Sequence, residues 1–292
     1  MYIGSNAVNT LSGLILKKLR LVSKVIFYSH SYVPQRFDMP MKNWIYLALD
    51  SFCTQHCDAI WNVSRRLSRV RESMGVPKLK NIVLPEVIDL NQPPPRGPPL
   101  DRKTIVFLGH LSKKNGVDIL IPAMRLVLDE VKDSKLVIIG VVEEEKNLKV
   151  TVDALGLKEH VIFLGFLPYE KALSTMRKYA VGLAPYADIL DSNMWTADPS
   201  KPKDYMSCGL PVITTRVGET YEDIKMYNCG IIVKFDVREF AEAMIKLLSD
   251  DEFYYQCREN VIKRILEYDI MKVHPKVWKE TLACLLLNDR AE

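Results

Sequence analysis

The chain lacks any apolar run long enough to cross a bilayer. Its first residues carry neither the apolar stretch nor the small-residue cleavage site of a secretory leader. These absences lead us to expect a cytoplasmic protein, soluble or peripheral on the inner face of the membrane. There is no G-x-G-x-x-G after the first strand and no G-x-x-x-x-G-K-[ST], so dinucleotide oxidoreductases and P-loop nucleotidases lose their anchors. No G-x-S-x-G elbow is present to carry a serine nucleophile. Cysteine is sparse, at six residues. Cys53 and Cys57 share a helical face beside His56, but no second ligand pair stands at a suitable spacing for zinc. Reduced, structural thiols are expected instead.

What remains is globular. The 292 residues are 48% hydrophobic and 26% charged, enough for two domains with their own cores. The net charge of +4 is unevenly placed. Residues 1–100 hold 13 Lys and Arg against 6 Asp and Glu, a net of +7, whereas 101–292 hold 27 against 30, a net of −3. The basic excess lies in "KKLRLVSK" (Lys17–Lys24) and "RRLSRVRE" (Arg65–Glu72). Such a face suits an anionic membrane surface, with a solvated helix face as the plain alternative; no nucleic-acid motif accompanies it.

Strand and helix patterns alternate along both halves. "KVIFYSH", "DAIWNVS" and "NIVLPEVI" read as buried strands between amphipathic helices in the first half. "NQPPPRGPPL" (Asn91–Leu100) follows, with five prolines that exclude helix and central strand, and reads as a semi-stiff linker. Beyond it, "KTIVFLGHL", "KLVIIG", "VIFLGFL", "VGLAPY", "PVITT" and "GIIVK" are strands separated by helices. The pattern predicts an α/β protein of two doubly wound Rossmann-like domains with parallel sheets, ligand binding at the carboxyl ends of the strands and a crevice between the domains as the natural site. The expected divisions are residues 1–97, 98–270, and a carboxyl-terminal helix over 271–292 that returns to the first domain.

Two stretches could carry chemistry. In "FLGHLSKKNGVDIL" a strand ends at Gly109, a loop holds His110, Lys113 and Lys114, and Gly116 precedes a helix. Lysines and bare backbone between strand and helix suit a diphosphate, and solvated lysines on an ordinary turn are the plain alternative. In "DPSKPKDYMSCGLPVITT" a helix of one to two turns is expected over Asp204–Cys208, with "PSKPK" at its amino end. Free N–H groups, the positive end of the helix dipole and two lysines would draw an anion there. Gly209 closes the helix and Pro211 prevents its return. Together the two stretches fit a nucleoside diphosphate carrying a sugar, with Asp204 accepting from a ribose diol.

On these motifs the chain resembles the retaining GT-B glycosyltransferases of the glycosyl transferases group 1 family, akin to glycogen synthase and the phosphatidylinositol mannosyltransferases. "VFLGHLSKKNGVDILIPAM" resembles the family's G-R-L-x-x-x-K-G-x-x-x-L-I-x-A stretch, and "PSKPKDYMSCGLPVITT" its P-x-K-x-x-E-Y-M-A-x-G-x-P-V-V. "KVIFYSHSYVP" and "DAIWNVSRRL" match in the first half. The resemblance implies a UDP-, GDP- or ADP-sugar donor, a glycan or lipid-linked acceptor, and neither metal nor other cofactor. It puts Asp204 on the ribose, Lys201 with Gly109 and Gly116 on the diphosphate, Gly165 and Phe166 on the base, and the cleft histidine at His30.

The departures are specific. His110 stands for the family's phosphate arginine and Asn115 for its lysine, with Lys113 and Lys114 nearby as substitutes. Thr196 replaces the first acid of a spaced pair, for which Asp188, Asp191 and Asp198 are alternatives. The family's opening strands have no counterpart before Tyr2, which implies an incomplete amino-terminal domain and a partner chain able to supply the rest. The alternative reading is a catalytically silent or split-enzyme subunit that binds nucleotide sugar or a partner chain.

Overall fold

β-branched and aliphatic runs of three to five residues are too short for helices, and the connections between them are long enough for crossovers. Among the described residues every pairing between strands is parallel as a result. The structure is a computed structural model that describes residues 1–110, 115–141, 145–187 and 193–289. The chain divides into two units: Met1–Val87 with Leu190–Asp198 and Ile270–Glu292, and Ile88–Ile189 with Pro199–Asp269.

The first unit runs β1 (Tyr2–Gly4), α1 (Ala7–Lys18), β2 (Val25–Ser29), α2 (Pro40–His56), β3 (Ala59–Asn62), α3 (Arg65–Ser73) and β4 (Asn81–Val83). Its sheet follows chain order, β1-β2-β3-β4. Asn6 caps α1 through the Asn9 N–H at 2.9 Å, and Ser64 caps α3 through the Leu67 N–H at 2.9 Å. α1 stops at Lys18 because Arg20 turns left-handed, with φ of 62°. Leu21 N–H then closes back on the Leu16 carbonyl at 2.9 Å. Between the helices and the sheet, Arg71 is fully buried and grips both oxygens of buried Asp50 while donating to Ser29 Oγ at 2.9 Å.

The second unit continues with β5 (Thr104–Leu108), α4 (Val117–Glu130), β6 (Lys135–Ile139), α5 (Glu145–Ala154), β7 (Val161–Gly165), α6 (Tyr169–Met176) and β8 (Val181–Ala184). Then come α7 (Ser200–Ser207), β9 (Val212–Thr214), α8 (Thr220–Met226), β10 (Gly230–Ile232), α9 (Val237–Ser249) and α10 (Asp251–Ile265). The strand order is β10-β9-β8-β5-β6-β7. The chain builds outward in one direction from β5 and in the other from β8, so the switch point lies between those two strands. Ile105, Phe107, Leu120, Met124, Leu136, Leu183, Phe240 and Met244 form part of a fully buried core.

The last helix, α11 (Ile270–Asp289), belongs to the first unit and covers one face of its sheet. Val273, Val277 and Leu285 pack with Ile26, Ala59 and Ile82, and Trp61 Nε1 donates to Thr281 Oγ1 at 2.8 Å.

These units differ from the sequence divisions in two places. Residues 88–97 join the second unit rather than the first. Proline-rich backbone has few N–H groups but keeps its carbonyls. Arg258 donates to those of Pro95 at 2.8 Å and Gly97 at 2.7 Å, and Arg177 to that of Gln92 at 2.8 Å. The segment around Thr196, embedded in the second half of the sequence, folds with the first unit. Thr196 Oγ1 accepts from Tyr32 N–H and donates to the Tyr32 carbonyl, both at 3.0 Å. All six cysteines are free and buried, and burial raises the Cys57 thiol to about 12. Among the described residues no helix is long and apolar enough to cross a membrane.

Candidate nucleotide site

Three neighbouring strands of the second unit end in glycine. Gly109 follows β5 with φ of 146°, Gly140 follows β6 with φ of 153°, and Gly165 ends β7 with φ of 66°. Their backbones interlock: Gly109 N–H donates to the Ile139 carbonyl and Gly140 N–H to the Gly165 carbonyl, each at 2.9 Å. A Cβ on Gly140 would meet the Gly109 carbonyl oxygen at 1.8 Å, and one on Gly116 the Pro185 oxygen at 1.9 Å. The carboxyl edge of the sheet is therefore bare backbone along β5, β6 and β7.

α7 lies over that edge, and Tyr205 holds it there. The ring is fully buried on Gly182, where an added Cβ would fall 2.3 Å from it. Its hydroxyl accepts from Leu108 N–H at 2.7 Å and donates to the Leu183 carbonyl at 2.8 Å, joining β5 to β8. The sequence reading did not single out Tyr205, although a large aromatic in so short a helix was a visible signal.

α7 begins at Ser200, not at the expected Asp204. Pro202 is accommodated because the first helical turn has no partners for its N–H groups. Pro199 precedes the helix and supplies no side-chain cap. The earlier start separates the two lysines. Lys203 turns inward, fully buried, with its ammonium 4.1 Å from the centre of the Tyr268 ring. Lys201 alone reaches the glycine edge. Its Cε and Nζ lie 2.5 Å from where a Gly109 Cβ would be, so the ammonium rests directly on the glycine backbone. The ammonium sits 5.5 Å from the centre of the Phe107 ring and 5.4 Å from that of Tyr186. It donates to Asn115 Oδ1 at 2.8 Å, and Asn115 Nδ2 donates to the His110 carbonyl at 2.8 Å. Burial lowers Lys201 from 10.5 to about 8, against the opposing pull of Asp204. A group so placed is a cation that lacks its full hydration, and an anion would restore its preferred state.

Asp204 lies three residues on, on the same side of α7. It is 5% exposed and accepts from Tyr169 Oη at 2.8 Å. Burial, then the Asp204 charge, raises the Tyr169 phenol far above its usual range, so it remains a donor. Tyr169 opens α6, four residues after Gly165, and therefore ties Asp204 to the segment following β7. That segment exposes Phe166, at 71%. Lys201 with Gly109, Asp204, and Gly165 with Phe166 are thus brought onto one edge in that order. Tyr169 was missed by the sequence reading, and Asn115 was noted only as a departure.

Other expected residues lie elsewhere. His110 is exposed and contributes its carbonyl rather than its ring to the Lys201–Asn115 chain. Lys113, Lys114, Asp188 and Asp191 lie outside the described residues. Asp198 is buried in the first unit, where its Oδ2 accepts from Glu86 N–H at 2.9 Å. His30 is also in the first unit, just past β2. Its ring lies 4.1 Å, centre to centre, from Tyr28, and partial burial lowers its pKa, favouring neutral imidazole.

Parallel α/β units of this construction, with an anion-receptive edge at the switch point of one, define the GT-B architecture. The glycosyl transferases group 1 model matches residues 90–264, and the chain belongs to that family. The Bacillus subtilis protein YtcC is 30% identical over 176 residues, covering 56% of this chain. A D-inositol 3-phosphate glycosyltransferase of Corynebacterium urealyticum is 27% identical over 164 residues, covering 53%. These matches span 41% and 37% of the relatives' own lengths. Among solved structures, Anabaena HepE in complex with UDP superimposes with a TM-score of 0.80 at 16% identity, covering 96% of this chain and 78% of its own. Sucrose-phosphate synthase from Thermosynechococcus elongatus gives 0.74 at 15%, covering 96% and 73%.

Proposed function

We propose that the protein transfers a sugar from a nucleoside-diphosphate sugar to a glycan or lipid-linked acceptor, with retention at the anomeric carbon and without a metal. The observation that carries this reading is the Lys201 ammonium seated on Gly109, with Asp204 one turn further along the same helix. The diphosphate would take Lys201 and the free N–H groups at the start of α7; the ribose hydroxyls would take Asp204; the base would lie along Gly165 and Phe166. HepE has been solved with UDP and with UDP-glucose, which makes a uridine donor the first to try.

In the proposed step the bond from the anomeric carbon to the diphosphate oxygen breaks. The acceptor hydroxyl oxygen bonds to that carbon on the same face, and its proton passes to the departing diphosphate. Lys201 and the helix dipole act where negative charge develops, which is the main electrostatic task in such a transfer. His30 is assigned contact with the donor sugar as part of the same proposal.

A thermal-shift panel of UDP-, GDP- and ADP-sugars tests the site. One nucleotide family should stabilise the protein. Asp204→Ala should weaken that ligand about tenfold to a hundredfold, the scale of a charged hydrogen-bond partner. Equal shifts in parent and variant would remove Asp204 from the site. Binding without transfer or donor hydrolysis would favour the silent-subunit reading.

A further inference from the structure

Helices α1 and α2 pack side by side over one face of the four-stranded sheet. An ordinary surface helix buries its large apolar residues and exposes its polar ones. Leu11, Leu14 and Leu49 do pack inward here, but the fully buried positions are small or polar and several larger apolar residues are left outside. α1 buries Ala7, Thr10 and Gly13, and α2 buries Asp50, Cys53 and Thr54. The small inner residues of α1 are required by close approach: a Cβ on Gly13 would stand 2.4 Å from the Tyr2 ring, and one on Gly4 2.5 Å from Thr10 Oγ1. Asp50 is held inside by Arg71.

The outward faces carry bulk. Val8, Ile15 and Leu19 recur along α1 at spacings of seven and four, all more than half exposed. Met41, Trp44, Ile45 and Phe52 recur along α2 at spacings of three, one and seven, and Trp44 is 70% exposed. Scattered apolar residues need no explanation, but stripes at helical spacing on two helices that pack against each other are not scattered. Its charge is mostly positive. Lys18, Arg20, Arg36 and Lys42 are exposed on or beside these helices. Of the five acidic residues in 1–87, Asp50 and Asp58 are buried in ion pairs, and Asp38 alone is exposed.

From this we propose that the outer face of α1 and α2 docks on an anionic lipid bilayer, its aromatic and aliphatic side chains entering the headgroup boundary while the flanking cations meet the lipid phosphates. A protein partner would be expected to answer the stripes alone; the excess of unopposed cations around them is what a negatively charged surface matches. The inference rests on the first unit only and stands apart from the nucleotide site.

The test is sedimentation of the full chain with vesicles of phosphatidylcholine alone or with about 30% phosphatidylglycerol, in low salt and in about 0.5 M salt. Binding to the anionic vesicles should exceed binding to the neutral ones at least tenfold, since each cation near the surface contributes about fivefold. High salt should reverse most of it. The triple variant Met41→Ser, Trp44→Ser, Ile45→Ser and the triple variant Lys18→Glu, Arg20→Glu, Lys42→Glu should each lose at least tenfold. Unchanged thermal midpoints would show that both fold, and an unchanged nucleotide shift would separate this result from the donor site. Equal sedimentation with both lipid mixtures, or no loss in either variant, overturns the proposal. So does a dimer in sedimentation velocity that the serine variant dissolves, because a second copy then covers the face.

Discussion

The glycine edge of the second unit and the helical face of the first handle their side chains in opposite ways. At the edge, charge is drawn inward. Lys201 is held over bare backbone by Asn115 and two aromatic rings, and Asp204 is nearly closed off under Tyr169. On the face, apolar bulk is pushed outward while Thr10, Asp50 and Thr54 go in. Desolvated charge and solvated hydrocarbon are both unfavourable in isolation. A fold that maintains each in a separate place sets apart two surfaces, which match the anion and the lipid boundary proposed above.

The contrast can be broken most severely at Gly140. Gly140→Ala drives a Cβ into the Gly109 carbonyl and strains a backbone at φ of 153°, so the variant should lose about 3 kcal/mol or more in denaturant unfolding. A loss below about 1 kcal/mol would mean that the edge yields and that glycine is not required there. Tyr205→Phe comes next. It leaves Leu108 N–H and the Leu183 carbonyl without their buried partner, and should cost about 2 kcal/mol together with weaker nucleotide binding, because α7 loses its seat.

Lys201 gives two pH effects of opposite sign. The folded chain releases this proton near pH 8 and the unfolded chain near 10.5, so between those values the unfolded state binds more protons. Stability relative to Lys201→Met should therefore rise with pH across that window. Nucleotide affinity should fall across it, because the anion requires the ammonium form, and should be weaker but flat in pH in Lys201→Met. A parent affinity that does not change with pH would place the diphosphate elsewhere. The smallest effect belongs to the other surface. Trp44→Ser should alter stability by less than about 0.5 kcal/mol, since the ring makes little of the core. A larger loss would show that Trp44 packs into the fold and would spoil the contrast.

Much of this was legible along the chain. The alternation of apolar runs with amphipathic ones implied parallel sheets, and Lys201, Asp204, Gly109 and Gly165 could be marked before any coordinates. Gly109 and Gly165 were legible because each closes its own strand, and Lys201 and Asp204 because prolines, lysines and a closing glycine mark a short helix in local sequence. Lys203 could not be told from Lys201. The two are separated by one proline, and only the start of α7 at Ser200 turns one to the edge and the other to Tyr268. Tyr169 was invisible for a related reason, being 35 residues from the carboxylate it holds.

By itself, then, the order of residues determined the secondary elements, the parallel sheets of two α/β units and the glycine turns at the strand ends, because strand length, helical period and glycine placement are short-range properties. Tertiary structure alone decided which unit takes the Thr196 segment, which lysine meets the Gly109 turn, and that α1 and α2 face outward with several of their larger side chains. Periodicity reports that a helix has an apolar side; what that side meets depends on how closely the neighbouring backbone approaches, and here Gly4 and Gly13 bring it too near for anything but small residues.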